Sequence, residues 1–88
     1  MLNEKILVQN VMGLHTRAAA KLVALASKFE SQIQLSRNNE LADCKSIMSL
    51  ILLGAKKGVT LDLIIQGADE FDARDTIVEL FNRKFDES

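Results

Sequence analysis

A single histidine, His15, lies in Gly13-Leu14-His15-Thr16-Arg17, directly ahead of the helix-forming run Ala18-Ala19-Ala20-Lys21-Leu22-Val23-Ala24-Leu25-Ala26. A glycine loop therefore turns into a helix at an imidazole. The first amides of a helix have no partner within it and carry the positive end of its dipole, so an anion is stabilised there. An imidazole nitrogen can take a phosphoryl group, and the cation of Arg17 can help neutralise it. Phosphoryl acceptance is the chemistry these residues could perform together. A lone histidine at a helix start is more often a cap or a solvated surface group, so spacing alone leaves an inert His15 open.

Other candidates for chemistry are few. Cys44 is the only cysteine, which rules out an internal disulfide, and it reads as a small semi-buried hydrophobe rather than a reactive thiol. With one histidine and one cysteine, a soft-metal site would need carboxylates for its remaining ligands, so neither a metal nor another cofactor is expected. A hydrolytic enzyme would need a base, an orienting acid and a substrate pocket, and the sequence assembles no such set.

Eighty-eight residues make one domain, spanning 1–88, with a small core. Chemistry in so short a chain is expected on a shallow, exposed surface, which favours a carrier or a binding module. The 11 basic and 12 acidic side chains nearly balance, and neither tyrosine nor tryptophan is present, so nucleic-acid binding is not expected. No apolar run approaches the ~20 residues a bilayer crossing needs, and Met1-Leu2-Asn3-Glu4-Lys5 lacks the layout of a signal peptide. The expectation is a cytoplasmic monomer that does not bind membranes.

These residues must be positioned by elements that periodicity outlines. Ile6, Leu7 and Val8 mark a strand over Glu4–Gln9. A first helix is expected over Thr16–Phe29, with Ala19, Leu22, Ala26 and Phe29 as its buried stripe and Arg17, Lys21 and Lys28 as a basic stripe. Gln32–Ser36 alternates as a strand; Arg37-Asn38-Asn39 supplies turn residues, and a short strand follows over Leu41–Asp43. Ser46 suits the N-cap of a second helix and Gly54 its end. Val59, Leu61, Leu63 and Ile65 alternate with Thr60, Asp62, Ile64 and Gln66 in the clearest strand. Asp69 can cap a last helix whose apolar face is Ile77, Val78, Phe81 and Phe85. The order β-α-β-β-α-β-α predicts an α+β fold of two layers, a sheet covered on one face by helices.

The second helix carries more apolar residues than one face can bury: Ile47-Met48-Ser49-Leu50-Ile51-Leu52-Leu53 is interrupted only by Ser49. With Leu50 and Leu53 inward, Ile47, Met48, Ile51 and Leu52 line an exposed side that suits docking, a role in which methionine adapts to several partners. The plainer alternative is a helix buried more deeply than usual.

Gly13-Leu14-His15-Thr16-Arg17, together with Lys45-Ser46-Ile47-Met48-Ser49-Leu50 and the total length, resembles the HPr family, the histidine-containing phosphocarriers of the bacterial phosphotransferase system. The resemblance covers nearly the whole chain. It implies an open-faced β-sandwich with a four-stranded antiparallel sheet in the order 1-4-2-3, covered on one face by three helices. It also implies a relay: enzyme I, charged from phosphoenolpyruvate, phosphorylates His15 at Nδ1, and His15 passes the group to enzyme IIA proteins. Arg17 would hold phosphoryl oxygens and the Thr16 amide would donate at the helix start. Leu14, Lys21, Ile47, Met48, Ile51 and Leu52 would meet the partners. Ser46 reads as a helix cap, and the resemblance adds a second reading, a serine phosphorylated by an HPr kinase/phosphorylase. Ala18 stands where most HPr-like chains have proline, which leaves the preceding loop less constrained. The segment Leu80–Glu87 is similar to the carboxyl end of the nitrogen-related (NPr) branch, whereas Ser46 and Met48 are similar to the sugar-branch members. The nitrogen-type branch is favoured, sugar-branch HPr being the alternative. A non-catalytic interaction domain with an inert His15 is the rival from another class.

Overall fold

Alternation along the strands becomes one buried face of a sheet in the computed structural model, which describes residues 1–87. β1 (Leu2–Leu7), β2 (Gln32–Arg37), β3 (Glu40–Asp43) and β4 (Thr60–Gln66) form a four-stranded sheet in the order β1-β4-β2-β3, with every pairing antiparallel. Register sets Ile6 opposite Leu61 and Leu35 opposite both Leu63 and Ala42, so inward side chains meet across all four strands. A one-residue slip would turn that apolar set outward.

Three helices cover this face: α1 (Thr16–Ala26), α2 (Ile47–Leu53) and α3 (Glu70–Asn82). They contribute Ala18, Ala19, Leu22 and Ala26, then Leu50 and Leu53, then Ala73, Ile77, Leu80 and Phe81, all buried. Asn38 and Asn39 take positive φ of 50° and 67° in the β2–β3 turn, as their short polar side chains permit. Gly54 closes α2 at φ 68° in the left-handed region. The expected two-layer α+β architecture and the strand order 1-4-2-3 are those found.

Several boundaries differ from expectation: β2 takes in Arg37, which pairs with Glu40 at the start of β3, so the turn is confined to Asn38 and Asn39. The first helix stops at Ala26 because Lys28 and Phe29 donate to carbonyls only three residues back, at 3.1 and 3.2 Å, which tightens the chain into a turn. Phe29 then packs half-buried beside the core. β1 begins earlier than expected and ends at Leu7, since pairing with β4 runs from Leu2 opposite Ile65 to Leu7 opposite Thr60. Phe85 reaches the core from outside α3. The helix ends at Asn82, and a turn over Lys84–Asp86 with φ of 55°, 55° and 60° swings the ring inward. There it meets Phe81 edge-on, with ring centroids 4.8 Å apart.

Asp69 occupies the N-cap position of α3 without capping it. Its carboxylate instead accepts the amides of Glu30 and Ser31, each at 2.9 Å, together with the Ser31 hydroxyl. It thereby fastens the α1–β2 turn to the start of α3, and these bonds, the Ser31 hydroxyl foremost, hold its carboxyl below the ordinary carboxylate range.

Candidate functional site

His15 is the N-cap of α1, with φ −77° and ψ 179°, and its backbone carbonyl accepts the Ala19 amide at 2.8 Å. Its ring is four-fifths buried and held at both nitrogens. The Arg17 amide donates to Nδ1 across a loose 3.3 Å, and Nε2 lies 2.7 Å from Glu87 Oε2. An ionised carboxylate can only accept, so the proton on that bond belongs to Nε2. The lone pair at Nδ1 then faces the helix start. Both partners favour the same tautomer.

Glu87 is itself positioned. Its other oxygen, Oε1, accepts the side-chain amide of Asn10 at 3.0 Å, and the same Nδ2 group of the fully buried Asn10 donates to Gly13 O at 2.7 Å. The Asn10 bond is the largest influence holding the Glu87 carboxyl below its ordinary value; partial burial opposes it, and the His15 bond and the charges of His15 and Arg17 add to it. Lys21 on α1 donates to the Phe85 carbonyl at 2.7 Å and fastens the chain just before Glu87. Arg83 pairs with Asp86 at 3.0 Å within the same turn.

Beside this histidine lies a shallow cleft of about 370 Å³ lined by Met12, Arg17, Lys21, Asp86 and Glu87. Arg17 is exposed, and its guanidinium enters no ion pair among the described residues, so it is free to meet an incoming anion. Thr16 is the exposed first residue of α1. The Nδ1 nitrogen of His15 and the Arg17 amide thus meet at the start of α1, with the Arg17 side chain lining the adjoining cleft.

The expected docking residues divide. On α2, Met48 and Leu52 are 64% and 73% exposed, and Ile47 and Ile51 are also open, while Leu50 and Leu53 are buried. Leu14 departs from expectation: it is buried in the core, with its amide donating to Ala55 O at 2.9 Å, and so offers a partner no surface. Lys21 is half-buried through its bond to the Phe85 carbonyl. Ser46 caps α2, its hydroxyl accepting the Ser49 amide at 3.3 Å. Cys44 is buried, and burial, more than the neighbouring Asp43 charge, pushes its thiol far up. Among the described residues no group of three or more His, Cys, Asp or Glu side chains could hold a metal ion, and no helix is long and apolar enough to cross a membrane.

Sequence reading missed Glu87, Asn10 and the exposed Val11 and Met12. Glu87 is 72 residues from His15, and the four-residue spacing of Ile77, Phe81 and Phe85 continues the helical rhythm through the turn, which conceals it. Asn10 carried a local signal, a polar residue three before Gly13, that nothing in the periodicity singled out.

Residues 2–83 match a family model described as the PTS HPr component phosphorylation site. The phosphocarrier protein HPr of Xylella fastidiosa is 42% identical over 87 residues, covering 99% of this chain and 98% of that one. HPr of Pseudomonas aeruginosa is 44% identical over 84 residues, 94% and 93% of the two chains. Among solved structures, HPr-C-His from Thermoanaerobacter tengcongensis superposes with a TM-score of 0.96 at 40% identity, over 100% of this chain and 99% of that one.

Proposed function

The chain belongs to the PTS HPr family and is a phosphocarrier, not an enzyme that turns over a substrate, and we propose that it carries the phosphoryl group on Nδ1 of His15. The observation that carries this reading is the two-sided hold on the imidazole: Glu87 keeps the proton on Nε2 while Nδ1 meets only the loose Arg17 amide. As Nδ1 forms its bond to phosphorus, the bond from phosphorus to the donor breaks, and that electron pair returns to the donor. The Arg17 guanidinium and the amides of Thr16 and Arg17 compensate the charge of the phosphoryl oxygens.

Enzyme I, charged from phosphoenolpyruvate, is the donor in this reading, and enzyme IIA proteins are the acceptors. The open apolar side of α2 is the surface on which they dock, with Arg17 and Lys21 as its charged rim, and the cytoplasm is where the exchange runs. The finer assignment is the nitrogen-related branch, supported by the segment Leu80–Glu87 that supplies the Glu87 contact; comparing rates with nitrogen-type and sugar-type enzyme I decides between the branches. The central test is incubation with phosphoenolpyruvate and enzyme I. Wild type gains one acid-labile phosphoryl group, and His15→Ala gains none while keeping its fold. Phosphorylation of the alanine variant would refute the assignment.

A further inference from the structure

Resting on that reading of the docking surface, we propose that Met12 and Met48 are modification sites for hydroperoxides, and that their conversion to sulfoxides shuts out partners without disturbing the fold. The chain has three methionines, and every one is exposed. Its core is built instead from aliphatic residues, Phe81, Phe85 and Cys44. Beyond Met1, the two that remain both lie on the surface assigned to partners. Met12 sits at the tip of the turn over 10–13, which the Gly13 amide closes on the Asn10 carbonyl at 3.1 Å and the Asn10 side chain fastens to Gly13 O at 2.7 Å. From there it lines the cleft beside His15, together with Arg17 and Lys21. Met48 stands on the open apolar side of α2. Both are about two-thirds exposed, so neither is shielded from a small oxidant.

With hydrogen peroxide as the oxidant, a sulfur lone pair attacks one peroxide oxygen. The sulfur–oxygen bond forms as the oxygen–oxygen bond breaks, and the transferred oxygen gives its proton to the departing hydroxide, which leaves as water. Sulfur is oxidised and the peroxide reduced by two electrons. A flexible apolar side chain thereby becomes a polar one carrying a strong acceptor oxygen. In the free protein that oxygen faces water at little cost. In a complex it is buried against an apolar partner surface without a donor, and docking weakens.

The one other sulfur does not compete. Cys44 is buried, and burial pushes its thiol far up, so the reactive thiolate does not form at neutral pH. Oxidation therefore acts on the docking surface alone.

The test compares each protein with its own untreated form. The full chain is treated with hydrogen peroxide until mass spectrometry shows every methionine as sulfoxide; phosphoryl acceptance from enzyme I and the thermal melt are then measured. Wild type is expected to lose about tenfold in transfer rate, the scale of one unpaired polar group buried at an interface, with its melting temperature unchanged. Methionine sulfoxide reductases, one for each epimer, should restore that rate. The double variant Met12→Leu, Met48→Leu keeps Met1, which precedes β1 with its amino group 3.4 Å from Glu70 and still takes up oxygen. Its rate should be the same treated and untreated. Phosphorylation of His15 by phosphoramidate, which needs no docking, should proceed equally in treated and untreated wild type. An unaltered transfer rate in fully oxidised wild type, a lowered melting temperature, or an equal loss in the double variant overturns the proposal. Untreated wild type that accepts nothing from enzyme I would refute the phosphocarrier reading, and this proposal with it.

Discussion

Gly13 and Ala55 meet backbone to backbone: a Cβ built on Gly13 would lie 2.5 Å from the Ala55 carbonyl oxygen and 2.9 Å from Lys56 Cα. The same Ala55 oxygen accepts the Leu14 amide at 2.9 Å. The loop that delivers His15 is thus seated directly on the chain leaving α2, and the open side of α2 keeps a fixed relation to the histidine.

Gly13→Ala should be severely disruptive for a glycine substitution. Gly13 sits at φ 66°, which alanine tolerates poorly, and the clash is with main chain that cannot rotate away. A loss of roughly 2 kcal/mol or more is expected in urea unfolding, together with slower phosphorylation as His15 shifts against Glu87. Wild-type stability in this variant would show that the loop yields without cost.

Asp69 predicts a particular dependence on acid. Its carboxyl lies below its ordinary value of 3.8 in the folded chain, chiefly through the Ser31 hydroxyl and then the Glu30 amide. A depressed carboxyl contributes stability that is present above the unfolded value and lost as pH falls through the folded one. Asp69→Asn should be less stable than wild type at neutral pH and should lose less on acidification below about pH 4, near the unfolded value. Urea melts from neutral pH into acid check this; parallel curves for the two proteins would remove Asp69 from the account.

Ser46 caps α2 through the Ser49 amide, and aspartate can accept that same bond. Ser46→Asp should therefore change stability by no more than about 1 kcal/mol, while its added charge slows phosphoryl acceptance from enzyme I. Unchanged transfer kinetics would leave the serine a cap and nothing more.

What could be read ahead of the structure follows from the range of the forces involved. Leu61, Leu63 and Ile65, or Ser46 with Gly54, announce their elements because alternation and capping act within a few residues. His15 and Arg17 were legible for the same reason: their cooperation spans two positions along the chain. The strand order was not legible from pattern, since β4 pairs with both β1 and β2 across long separations, and only resemblance supplied it. The Glu87 contact was beyond either source. It depends on three consecutive left-handed residues that no local propensity favours and that the buried Phe85 ring compels. Leu14 stands among the docking residues that the resemblance implies, yet a residue beside a helix start can point into the core while its neighbour points out.

The apolar side of α2 gives the sharpest separation of folding from docking. Met48 and Leu50 are two residues apart on one helix, yet Met48 is 64% exposed and Leu50 is fully buried. Met48→Glu places its carboxylate in water in the free protein, so stability should stay within about 0.5 kcal/mol of wild type. In a complex the same carboxylate would be buried without a partner, and binding to enzyme I should weaken by about tenfold or more. Leu50→Glu forces the charge into the core and should cost roughly 4 kcal/mol or prevent folding outright. Melting temperature and phosphoryl-transfer rate, measured on both variants, test the two roles together. A stable Met48→Glu protein with slowed transfer supports docking on α2, because a change that leaves the fold intact can act only through the surface it presents. A stable Met48→Glu protein that accepts phosphate at the wild-type rate would move the docking surface elsewhere, and Val11 and Met12, at 63% and 66% exposure ahead of His15, would be the next side chains to substitute.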